Sequence, residues 1–83
     1  MQNEKPLDYA IEIEFSLICL EDAIRDRDKT SWDYYRAEFY RQQGAFLTEL
    51  RQQERFKIAQ FYEQLFQSKY AVLNRRWHEL VLE

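Results

Sequence analysis

The sequence has one glycine, Gly44, and one proline, Pro6, in 83 residues. Tight β-turns and hairpins lean on those two residue types. A β-rich or α/β fold of this length needs several of them, so an all-α chain with few turns is expected, forming one domain over residues 1–83. Apolar and charged residues are interleaved with no low-complexity tract, which argues against a disordered chain. No stretch approaches the roughly 18 uninterrupted apolar residues of a membrane span, so no membrane partner is expected. The start, Met1-Gln2-Asn3-Glu4-Lys5, has no apolar segment behind a basic end, and no signal peptide is expected. Cys19 is the only cysteine and cannot close an internal disulfide. The expected compartment is the cytoplasm.

Residues that carry chemistry are equally scarce. One cysteine and one histidine cannot supply the four ligands of a structural zinc site. A di-iron bundle needs Glu-x-x-His pairs, and Arg75 stands three residues before His78, the only histidine. There is no glycine-rich phosphate loop. Cys19 lies between Ile18 and Leu20 on a helical stretch, which points to burial rather than reactivity. Ser16 and His78 share no spacing that pairs them as nucleophile and base. His78, beside Trp77 near a helix C-terminus, reads as a rim residue favoured by the helix dipole. The expectation is a non-enzyme with no cofactor and no metal.

The net charge of −3 does not suggest a nucleic-acid binder. Its distribution is uneven. Residues 1–33 hold nine acids and four bases, and residues 34–83 hold six acids and eight bases. An acidic helix lying against a mildly basic one accounts for this. Arg51, Arg55, Arg75 and Arg76, with the aromatics between Phe56 and Tyr70, raise the alternative of a small nucleic-acid-binding regulator. Those aromatics fall at helical core spacing, and few phosphate contacts are available, so nucleic acid is the less expected partner.

Helical periodicity organises what remains. Pro6 suits the first turn of a helix, where its missing N–H costs nothing. Helix 1 is predicted over about 6–28. One apolar stripe is Ala10, Ile13, Leu17, Leu20 and Ile24; a second is Leu7, Ile11, Phe15 and Ile18. Glu14 and Glu21, seven apart, lie between the stripes, where they pair with a neighbouring helix or face a partner; Arg25 can reach Glu21 along the helix. The polar run at 26–31 predicts a turn, and Thr30 followed by Asp33 resembles a capping box.

A second helix is predicted from about Ser31 on the stripe Trp32, Tyr35, Phe39, Phe46 and Leu50. Phe39, Leu50, Phe61 and Val72 recur every 11 residues, which keeps a straight helix in phase to about residue 82. A break near Gly44 or in the polar run 51–55 gives the alternative, a three-helix bundle. After 51–55 the clearest stripe is Ala59, Tyr62, Phe66, Tyr70, Leu73, Trp77 and Leu80, in a shifted phase.

A continuous second helix would span roughly 75 Å against about 33 Å for helix 1. The overhang would carry Phe61, Tyr62, Phe66, Tyr70, Leu73, Trp77 and Leu80 as an interface, since large exposed apolar patches mark interaction sites. Two such helical hairpins would pair as a homodimer in a four-helix arrangement. Fourteen of the 83 residues are aromatic, and Tyr34, Tyr40 and Phe61 on outer faces are left for a protein partner. The expected function is a self-associating protein–protein interaction or adaptor module.

The segment Ile11-Glu12-Ile13-Glu14-Phe15-Ser16-Leu17 resembles the start of the first helix in the NblA family of phycobilisome degradation proteins. Glu21, Ile24, and Phe39-Tyr40 with Gln42 fall where that family has similar residues, over about 30 residues of the chain. The resemblance implies a small helical hairpin that dimerises into a four-helix bundle. It also implies a non-catalytic adaptor that brings phycobiliproteins to a protease. The chain departs from that family from about Arg55, where it is longer and its C-terminal segment does not match.

Overall fold

A computed structural model describes residues 6–82. Three helices account for almost all of them: α1 Pro6–Asp26, α2 Lys29–Gln52 and α3 Phe56–Val81. No strand occurs among the described residues. Each helix packs against the other two.

The single helix expected from Ser31 to about Leu82 is not formed. α2 runs unbroken through Gly44 and stops at Gln52, so of the two candidate breaks the chain uses the polar run 51–55. The mechanism is the same at both turns. Arg27 and Glu54 adopt the left-handed conformation, with φ of 54° and 59°. After α1, the Asp28 N–H reaches back to the Ala23 carbonyl at 2.9 Å and the Arg27 N–H to Ile24 at 3.2 Å. After α2, the Arg55 N–H reaches Leu50 at 2.9 Å and the Glu54 N–H reaches Arg51 at 2.9 Å. Both are Schellman closures, which satisfy the last helical carbonyls and normally place glycine at the left-handed position. Here arginine and glutamate occupy it, so the usual sequence signal for a helix end is missing.

Gly44 sits in the helix interior, and a Cβ added there would meet no atom within 4 Å. The chain thus has its glycine where alanine is better and non-glycine residues where glycine is better. Gly44→Ala and Glu54→Gly are each expected to raise unfolding stability by about 1 kcal/mol, read from urea midpoints.

The start of α2 also differs from expectation. Its N-cap is Asp28 rather than Thr30. The Asp28 carboxylate accepts from the Ser31 N–H at 3.1 Å and from the Ser31 hydroxyl at 2.7 Å. Asp33 instead accepts from Lys29 at 2.7 Å. The Ser31 hydroxyl and backbone amide hold the Asp28 carboxyl below the usual aspartate range. A depressed carboxyl stabilises the fold above its unfolded pKa and loses that contribution as pH falls through the folded value. Asp28→Ala is therefore expected to lower the urea midpoint at neutral pH, with the difference from the parent vanishing at strongly acidic pH.

The core runs between the three helices. Ile13, Leu17, Leu20, Ala23 and Ile24 enter it from α1. Trp32, Phe39, Phe46, Leu47 and Leu50 enter from α2 and Ala59, Phe66, Tyr70, Leu73 and Trp77 from α3. Aromatic pairs clamp α3 on α2 along its length. Trp32 stacks on Trp77 at 5.0 Å, Phe39 on Tyr70 at 5.0 Å, and Phe46 meets Tyr62 edge-on at 5.1 Å. Stacked and edge-to-face pairs of this kind add to the burial of large rings.

Candidate docking face

The interface predicted from an overhanging helix is corrected by the turn at 53–55. α3 folds back onto α1 and α2, so no overhang exists. Phe66, Tyr70, Leu73 and Trp77 are buried within the chain, and Tyr62 and Leu80 are half-buried against the same core. Of the seven predicted interface residues only Phe61 is exposed, at 60%. The 11-residue line shows why. Phe39 and Leu50, before the turn, are in the core, while Phe61 and Val72, after it, are 60% and 58% exposed. The turn rotates the phase of α3 and sends the other stripe inward.

The two stripes of α1 part in the same way. Ile13, Leu17, Leu20 and Ile24 face the core. Ile11, Phe15 and Ile18 stand on the opposite side, 59%, 59% and 54% exposed; the side chain of Leu7, predicted for the same stripe, lies outside the described residues. Single exposed apolar residues are ordinary on any surface. Three at i, i+4 and i+7 form a continuous ridge, and contiguous apolar surface is what marks a docking site. Covering such side chains fully is worth roughly 1.5–3 kcal/mol each.

The ridge opens into a shallow groove between α1 and α3, lined by Leu17, Ile18, Val72 and Leu73 and crossed by two ion pairs. Lys69 donates to Glu14 at 2.7 Å and Arg76 lies 3.6 Å from Glu21. The two acids singled out in the sequence thus pair with α3, and Arg25 reaches Asp22 and Asp26 rather than Glu21. Pairs this exposed contribute little net stability. They mark the register of α1 against α3, which the shared core holds together.

Tyr34 and Tyr40, the other predicted partner-facing residues, are 58% and 44% exposed on α2. Tyr40 leans edge-on against Tyr70, with the Arg36 guanidinium 5.7 Å above its ring. Arg36 Nε donates to the Tyr70 hydroxyl at 2.9 Å, and burial pushes the Tyr70 phenol above its ordinary range. Tyr40 and Arg36 tie α2 to Tyr70 of α3, while Tyr34 meets Tyr35 on its own helix.

The other residues singled out in the sequence lie apart from the ridge. Ser16 is buried and its hydroxyl donates to Gln42 Oε1 at 2.8 Å. His78 Nδ1 lies 2.8 Å from the Asn74 carbonyl, one turn back on its own exposed helix face. Ser16 and His78 are not brought together. Cys19 is half-buried, beside the Tyr35 hydroxyl, whose pKa it raises. No group of three or more potential metal ligands occurs among the described residues, and no described helix is long and apolar enough to cross a membrane.

No family model, curated protein or solved structure matches the chain.

Proposed function

We propose that the protein is a non-catalytic helical interaction module that binds another polypeptide on the outer face of α1. The observation that carries this reading is the ridge Ile11, Phe15 and Ile18, more than half exposed on a helix whose opposite side already fills the core. Both self-association and capture of a different chain use such a face. A phycobilisome adaptor of the NblA type is a narrower form of the same reading, motivated by the resemblance at residues 11–17, which includes Ile11 and Phe15. It expects phycobiliproteins to be retained by the immobilised protein, and failure to retain them removes it. The nucleic-acid reading expects steeply salt-dependent binding to DNA or RNA. It is the weaker one because the net charge is −3 and few basic residues are available to contact phosphates.

The docking reading is tested by placing a photo-crosslinking phenylalanine analogue at position 15 and, as a control, at Thr48 on the exposed side of α2. Crosslinks to a polypeptide from position 15 and none from position 48 are expected. No crosslink from position 15 in cells or in concentrated solution overturns the reading.

A further inference from the structure

The ridge on α1 continues onto α3. Helical spacing puts Ile58, Phe61, Leu65 and Val72 on one side of α3, and Val72 shares its groove with Ile18. The ion pairs Glu14–Lys69 and Glu21–Arg76 both span 55 residues. α1 and α3 therefore run parallel at a constant offset, and each residue of α1 lies level with the one 55 positions later.

That offset makes the face complementary to itself. On α1, Asp22 and Arg25 stand at the C-terminal end of the ridge, paired with each other at 3.2 Å in an exposed contact that is cheaply exchanged; on α3, Arg75 and Glu79 stand beyond Val72, and all four are exposed. Resting on the docking reading above, we propose that the occupant of this face is a second copy of the chain. In this arrangement α1 of each copy lies on α3 of the other about a twofold axis parallel to the helices. Ile18 then meets Val72 of the second copy and Ile11 meets its Leu65. Asp22 comes within half a helical turn of the second copy's Arg75, and Arg25 comes level with its Glu79. Every apolar contact and both charge pairs are made twice, as an isologous interface requires. The other simple twofold, perpendicular to the helices, crosses α1 on α1 at Phe15. It sets Asp22 against Asp8 of the second copy, acid against acid, which charge complementarity disfavours. The parallel axis gathers α1 and α3 of both copies into a four-helix layer with α2 outside.

The test is the solution mass of the full chain, by light scattering after size exclusion, from low to high micromolar concentration. The parent is expected to reach twice 10.3 kDa. Arg75→Glu and Asp22→Arg are each expected to weaken the dimer by about tenfold, and the two together to restore most of it, since the pair is re-formed with its signs exchanged. A parent that stays monomeric at high micromolar concentration overturns the proposal. So does a dimer indifferent to Arg75→Glu, or a double variant no better than the single ones. A monomeric parent that still crosslinks from position 15 to a different polypeptide refutes the second copy alone. Absence of any crosslink refutes the docking reading itself.

Discussion

Phe39→Ala is expected to remove about 3–5 kcal/mol of unfolding stability, the usual cost of emptying a fully buried phenylalanine site. Phe39 is wholly inaccessible to solvent and its ring lies 5.0 Å from that of Tyr70 and 5.5 Å from that of Tyr40. It stands midway along α2, where all three helices converge, so neighbours cannot collapse into the void without shifting a helix. A domain of this size has on the order of 5–10 kcal/mol in total. The variant should therefore lose around half of its stability, with a melting temperature at least ~12 °C lower. Thermal unfolding followed by circular dichroism checks this. A drop of only a few degrees would mean that α3 does not close over Phe39.

Phe66→Asp has a still larger expected effect. Phe66 is 1% exposed, lies 5.7 Å from Tyr62 and 6.2 Å from Phe46, and no basic side chain is buried among the described residues. An unpaired carboxylate there must stay charged at great cost or take up a proton. A loss of about 5 kcal/mol or more is expected at neutral pH, enough to unfold the chain. The expected readout is loss of most helical circular dichroism in the isolated variant at every protein concentration. An overhanging second helix would give a different result, a monomer with helix 1 and its partner segment still folded. The same substitution thus separates the folded-back α3 from the long-helix expectation. Partial recovery of helix at acidic pH, where the carboxyl is neutral, is the sign that charge burial rather than lost volume is responsible.

Much of the fold is legible in the residues. The scarcity of glycine and proline predicts helices, and the inner stripe of α1 and the stripe from Ala59 to Leu80 are the faces that enter the core. The turn at 53–55 is harder to read, for an identifiable reason. Its closure uses Glu54 in the left-handed conformation, and a sequence reader looks for glycine there. The only glycine, at 44, points to the wrong place. The 11-residue recurrence of Phe39, Leu50, Phe61 and Val72 then reinforces continuity, although the turn splits it into a buried half and an exposed half.

The candidate face inherits that difficulty. The two apolar stripes on α1 are visible in the residues. Which stripe remains outside depends on where α3 lands, and α3 was placed by the turn. Glu14 and Glu21 carry the clearest signal. Acids between two apolar stripes imply basic partners on an adjacent helix, and Lys69 and Arg76 meet them with one common offset. Read that way, the pattern places α3 beside α1 and leaves Ile11, Phe15 and Ile18 on the far side.

Central to the proposed docking is that it uses a different surface of α1 from the folding core. Phe15→Asp tests it most directly, through its solution mass measured on samples whose helical circular dichroism has been recorded. A parent-like helical spectrum is expected, with the mass of a single chain at concentrations where the parent forms the proposed dimer. A Phe15→Asp variant that loses its helices as Phe66→Asp does, or one that keeps the parent's full assembly, would contradict it.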